Sequence, residues 1–185
     1  IINLGIGQPD FKTPQHIVEA AIKALRDGHH GYTPAQGILP LREAVAADLK
    51  RRHGVEVHPD TIVIWPGGKP TMFFSILMFG QPSAEIMYPD PGFPIYRSMI
   101  QYTGAKPVPI PLLEKNGFAF SAEDVLSRIT PRTRLIIINS PANPTGTVIA
   151  RTELERIAGF VAGRGGVLIV DEIYQGLWYG ERPAT

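Results

Sequence analysis

The chain has 185 residues, 44% of them hydrophobic, and carries 18 Lys and Arg against 17 Asp and Glu, a net charge of +1. That length and composition allow one sizeable core, and the charge balance excludes the basic footprint of a nucleic-acid binder or of a protein held on an anionic membrane. Zero cysteines exclude a disulfide scaffold and thiolate metal sites, and no stretch approaches the roughly 18 apolar residues of a membrane span, so a soluble cytoplasmic protein is the expectation.

The chain opens at Ile1-Ile2 without an initiator Met or a signal-like segment and reads as an excerpt of a longer one. Thr13-Pro14 then starts a helix over 15–27, with Ile17, Ala20, Ala21, Ala24 and Leu25 on one face and Gly28 as its stop. A loop around Gly31-Tyr32-Thr33-Pro34 leads to a helix over 39–53. There Leu41, Val45 and Leu49 recur at i, i+4, Arg42, Asp48 and Arg51 point outward, and Gly54 ends the period. Thr61-Ile-Val-Ile-Trp65 reads as a strand, Gly67-Gly68 as a turn, and Pro70 as the first position of a helix to Phe79. Met72, Phe73, Phe74, Ile76, Leu77, Met78 and Phe79 make that helix apolar all round, which predicts an interior position.

Residues 84–88 read as a strand, 93–102 as a helix, 106–110 as an edge strand because Pro107 and Pro109 cannot donate to a ladder, and 122–129 as a helix. Two short aliphatic strands follow, 135–139 and 167–170, with a helix over 151–162 between them. Strand-helix alternation of this kind predicts an α/β fold with a mostly parallel, doubly wound sheet. Function is then sought at the strand ends, where such sheets bind ligands.

Asp171 ends an aliphatic run, so its carboxylate meets a low-dielectric core and wants a cation or strong donors, and Tyr174 follows within one turn. The competing reading is that Asp171 caps the next element and Tyr174 fills space. Ser140-Pro141 and Asn143-Pro144 fix a rigid turn in which a cis bond is open at either, and that rigidity aims the Asn143 amide. Gly67-Gly68-Lys69 before a helix offers backbone amides suited to a phosphate, without the full P-loop spacing that nucleotide hydrolysis would need. Phe93, after the strand that ends near Tyr88, is placed either to lie on a planar ligand or to fill core. No Gly-x-Gly-x-x-Gly opens a helix after a first strand, which excludes a dinucleotide-binding dehydrogenase.

In this order the motifs resemble the class I/II aminotransferases of fold-type I, which use pyridoxal 5'-phosphate (PLP). The resemblance covers essentially the whole chain: Gly5-Ile-Gly7-Gln-Pro-Asp-Phe11, Gly31-Tyr32 to Leu41-Arg42-Glu43, Gly67-Gly68-Lys69, Tyr88 to Tyr96, Asn143-Pro-Thr-Gly146 and Asp171-Glu-Ile-Tyr174. It implies a first segment, 1–13, that reaches the substrate, followed by the first part of a large PLP-binding domain, 14–185. Asp171 would pair with the protonated pyridine nitrogen, while Asn143 and Tyr174 would bond the ring 3'-oxygen. Phe93 would stack on the ring, and the amides of Gly68 and Lys69 would hold the phosphate. Tyr32 would reach the phosphate of a neighbouring subunit's cofactor, which implies a homodimer with shared active sites. Gly7 would lie near the substrate carboxylate, as would Asn143, and Lys69 would grip the distal carboxylate of an aspartate-like substrate.

The family also needs a Schiff-base lysine in a Ser-x-x-Lys-like segment beyond the Asp-x-x-Tyr motif, and an arginine for the α-carboxylate. Lys12, Lys23, Lys50, Lys69, Lys106 and Lys115 do not stand in such a segment, so residues 1–185 alone are expected not to transaminate. In the family's seven-stranded sheet two later strands are taken to separate the strand near 62–64 from that at 135–138. Expressed by themselves, residues 1–185 are expected to aggregate or stay molten because both strands would bare their edges. A lyase or synthase on the same scaffold, and a PLP-sensing regulatory domain, remain the alternatives to an aminotransferase acting on an L-amino acid, aspartate first, and a 2-oxo acid.

Overall fold

The computed structural model describes residues 2, 5 and 7–177; Ile6 of the 5–11 motif and positions 178–185 lie outside the described residues. The chain divides into two compact units, one of residues 1–50 and 56–64, the other of residues 51–55 and 65–185.

The first unit contains α1 (Gln15–Arg26) and most of α2 (Leu39–His53). Arg42, expected outward on α2, is instead buried: its Nε donates to the Gly37 carbonyl at 3.2 Å, and its Nη1 donates to the Pro59 carbonyl at 2.9 Å and to Asp60 at 3.0 Å. Two carbonyls and a carboxylate offset the desolvation of the guanidinium, a pairing that helical periodicity does not reveal. Gly37 makes the close approach possible, since its φ is +98° and an added Cβ would stand 2.7 Å from the Ile64 side chain. The strand expected at 61–65 does not form among the described residues. Pro59–Thr61 is a 3₁₀ turn, and the Ile64 N–H donates to the Gln36 carbonyl of a loop, at 3.0 Å. A β-branched run favours extended backbone, yet a strand exists only where a partner ladder meets it.

In the second unit a helix or turn follows each strand in the order α3 (Gly68–Phe79), β1 (Glu85–Asp90), α4 (Ile95–Tyr102), β2 (Lys106–Pro111), α5 (Ala122–Leu126), β3 (Thr133–Asn139), α6 (Arg151–Gly163) and β4 (Val167–Asp171). The strands form one parallel, four-stranded sheet in the order β2-β1-β3-β4. The alternation of apolar side chains builds a core on both faces. On β3, Leu135 and Ile137 join Ile86, Met72, Ile76, Tyr96 and Ile100 on the α3/α4 face, while Ile136 and Ile138 join Met87, Val125, Ile157 and Val161 on the α5/α6 face. A strand covered on both faces has no polar alternation, which is why 135–138 reads as an unbroken aliphatic run.

Three expectations are corrected here. β3 is paired on both sides, with β1 and with β4, so it bares no edge. The apolar helix α3 buries Met72 and Ile76 but exposes Phe74, Leu77 and Met78, the last at 77%. Its composition carries no periodicity, so composition could not say which side faces the sheet. The helix also begins at Gly68, with Gly67 at φ +99° as the N-cap, which leaves Pro70 deeper in the first turn, where a missing N–H costs little. Among the described residues no helix is long and apolar enough to cross a membrane.

At the amino-terminal end of the sheet Glu85 is 2% exposed and accepts from the Thr130 hydroxyl at 2.6 Å, from Arg132 at 2.6 Å and from Lys106 at 3.1 Å. The Thr130 bond first, then Lys106 and Arg132, hold its carboxyl below the usual range, against a burial that pushes the other way. The cluster ties the starts of β1 and β2 to the turn that enters β3.

Candidate active site

β1 runs on to β2 at one side of the sheet and β3 runs on to β4 at the other, so the connections diverge between β1 and β3. The carboxyl ends of strands at such a divergence leave a crevice that loops cannot fill. A cleft of about 420 Å³ lies there, lined by Gly68, Lys69, Phe93, Tyr96, Asn143, Asp171 and Tyr174 among others. Its size lies in the usual range for a small-molecule site.

Six of the sequence-predicted residues therefore meet in one cleft: Gly68, Lys69, Phe93, Asn143, Asp171 and Tyr174. Gly7 and Tyr32 belong to the first unit, where both are exposed. At the α3 end of the cleft, first-turn N–H groups have no intrahelical partner and point a partial positive charge outward. From β3, Asn143 arrives on a turn whose Ser140–Pro141 and Asn143–Pro144 bonds are both cis, as is Asp90–Pro91 after β1. From β4, Asp171 arrives half-buried at the last ladder position, opposite Asn139.

The Asp171 carboxylate is met by two neutral donors. The Ile173 N–H donates to Oδ1 at 3.1 Å, and the Tyr96 hydroxyl donates to Oδ2 at 2.6 Å. Capping is thus part of what Asp171 does, as the competing reading expected, but no helix follows it among the described residues. A carboxylate offers about four acceptor positions, so these donors orient it and leave capacity for a further partner. Burial, then the Asp171 bond and charge, push the Tyr96 phenol far above the usual tyrosine range, so it stays a neutral donor. Tyr96 is the site residue that sequence reading missed. The signal was present: Phe93, in the turn before α4, and Tyr96, in its first turn, stand three residues apart, the spacing that places side chains on one side of a turn, and their rings meet edge-on at 5.9 Å.

The donor set has a clear chemical polarity. Backbone amides suit a phosphate, a carboxylate suits a cationic nitrogen, an aromatic ring suits a planar face, and Asn143 and Tyr174 add an amide and a phenol to the same lining. This set fits a phosphorylated pyridinium ring. A smaller cleft of about 250 Å³ lies at the amino-terminal ends of β3 and β4, lined by Arg134, Arg164 and Phe160 among others. It carries two cations and no carboxylate from the sequence-predicted set, and it sits at the sheet end where doubly wound folds do not bind ligands.

The family description "Aminotransferase class I and II" matches residues 1–185. The chain is 42% identical over 181 residues to the probable aspartate/prephenate aminotransferase of Aquifex aeolicus, covering 98% of this chain and 46% of that protein. Among solved structures, the aromatic aminotransferase of Pyrococcus horikoshii OT3 superposes with a TM-score of 0.91 at 39% identity, over 98% of this chain and 49% of that one. The aspartate aminotransferase of Thermus thermophilus with maleate superposes with a TM-score of 0.93 at 36% identity, over 97% and 47%. The chain thus spans about half the length of the relatives it matches. With the parallel sheet and the cleft at its switch point, these matches show that the chain belongs to the class I and II aminotransferase family.

Proposed function

We propose that the protein carrying this chain is a PLP-dependent aminotransferase that moves an amino group between an L-amino acid and a 2-oxo acid. One observation carries the reading: residues at the start of α3 and Asp171 line the same cleft, together with Phe93, Asn143 and Tyr174. The N–H groups of Gly68 and Lys69 hold the phosphate, and Pro70 contributes none. Asp171 pairs with the ring nitrogen and keeps its proton in place, while Asn143 and Tyr174 donate to the ring oxygen and Phe93 covers one ring face. When bound, the pyridinium supplies an electron sink for the substrate Cα. In this reading Tyr32 completes the phosphate site of a partner subunit, so the working unit is a homodimer, and Asn143 borders the substrate carboxylate.

Aspartate is the proposed donor. Lys69 brings a cation to the phosphate end of the cleft, where a second carboxylate would find it. Relatives are named for aspartate and prephenate, and the Thermus thermophilus structure is that of the enzyme with maleate, also a dicarboxylate. The protein expressed from its complete reading frame, loaded with PLP and given aspartate without an acceptor, is expected to release one equivalent of 2-oxo acid per site and no ammonia. Given instead serine, whose β-hydroxyl can leave as water, continued release of pyruvate with ammonia would identify an eliminating enzyme on the same scaffold.

A further inference from the structure

Asn139 closes β3 after four consecutive aliphatic residues, and it is 2% exposed. A buried amide at that position is costly unless all its groups are met. They are met in one way. Nδ2 donates to the Asp171 carbonyl at 2.8 Å and to the Pro141 carbonyl at 3.2 Å, and Oδ1 accepts from the Asn143 N–H at 2.6 Å. The partners are two acceptors and one donor, so the amide orientation follows from the network: a flipped side chain would face two carbonyl oxygens with its own. The Ser140 N–H adds a second bond to the Asp171 carbonyl, at 3.1 Å.

Asn139 is not among the residues that line the cleft. Together its contacts tie the backbone of Asn143, on the turn after β3, to the backbone of Asp171, at the end of β4. These two residues approach the cleft from different strands, and local structure alone leaves their relative placement free by the slack of a turn. A leucine or isoleucine in place of Asn139 would continue the aliphatic pattern but would strip partners from backbone groups of both segments.

We propose that Asn139 is a positioning residue that couples Asn143 to Asp171, so that the amide and the carboxylate are presented to one ring as a unit. The inference rests on the reading of the cleft as a PLP site. If it holds, the loss on removing Asn139 and the loss on removing the Asn143 side chain are not independent, because the first acts through the second.

The test is PLP affinity of the apoprotein, made from the complete reading frame and measured by calorimetry, together with the thermal transition of each apo variant. Asn139→Leu is expected to weaken PLP binding roughly tenfold in the parent background and only about twofold in an Asn143→Ala background. Asn139→Ser, whose freed volume admits a water to the same backbone groups, keeps the question answerable if the leucine variant does not fold, and the same non-additivity is expected of it. Inorganic phosphate, a probe of the α3 end alone, is expected to compete equally in all variants. Equal losses in both backgrounds, or a lowered thermal transition with unchanged PLP affinity, would overturn the coupling role and leave the site reading standing. Absence of PLP binding by the unsubstituted protein would overturn the reading of the cleft and the proposal with it.

Discussion

The two ends of the sheet each hold a shielded carboxylate, and they are treated in opposite ways. Glu85, at the amino-terminal end, is surrounded by Arg132, Lys106 and the Thr130 hydroxyl, and its side chain is 3% exposed while its two cations are 63% and 64% exposed. Asp171, at the carboxyl end, is met by a phenol and a backbone N–H and faces a cleft. A carboxylate satisfied by fixed cations has no chemistry left to offer and serves stability. One that is oriented by neutral donors keeps its charge available to a ligand, and that availability is stored by the fold.

Substitutions at the two ends should therefore separate binding from stability. The largest effect is expected for Asp171→Asn, which keeps an oxygen for the Ile173 N–H, offers its NH2 to a Tyr96 hydroxyl that turns to accept it, and removes the charge: turnover with aspartate should fall by roughly a hundredfold or more while the apoprotein's thermal transition moves little. Next comes Tyr96→Phe, which preserves the buried ring and deletes one hydrogen bond to a charged oxygen, expected to weaken PLP binding about tenfold in a calorimetric titration. Comparable losses of stability at both ends would erase the distinction between them.

Glu85→Gln reverses the pattern, costing about 1–3 kcal/mol of stability with PLP affinity unchanged. Because the folded-state pKa of Glu85 is depressed, its stabilisation is fully present above the ordinary glutamate range and is lost as pH falls through the lowered folded value. The acid limb of a urea-midpoint profile against pH should thus be flatter in the glutamine variant. The smallest effect is expected for Lys69→Ala, whose backbone amide is retained: a few-fold rise in KM for aspartate, and none for an amino donor without a second carboxylate, as suits an exposed cation.

Much of the second unit was legible from local pattern. The aliphatic runs at 135–139 and 167–170 became adjacent parallel strands, and Asn143 and Asp171 reached the same cleft because strand ends go where their runs point. What sequence reading missed depends on distant partners. The run at 61–65 has strand propensity but no ladder among the described residues, and α3 looked interior because nothing in its composition marks the side that Phe74 and Met78 expose. Arg42 hid its burial behind a helical period, since Asp60, which it meets, lies 18 positions away. Tyr96 and Asn139 show the same limit at the site itself. Their partners lie 75 and 32 positions along the chain, a separation at which periodicity is silent and only the closed sheet reveals the pairing.

The account is tested most directly by a crystal structure of the protein, expressed from its complete reading frame, with PLP bound. The ring nitrogen should lie within hydrogen-bonding distance of the Asp171 carboxylate, with phosphate oxygens on the amides of Gly68 and Lys69 and the Asn139 bridge intact. PLP found in the reverse orientation, or at the Arg134 and Arg164 end of the sheet, would contradict it.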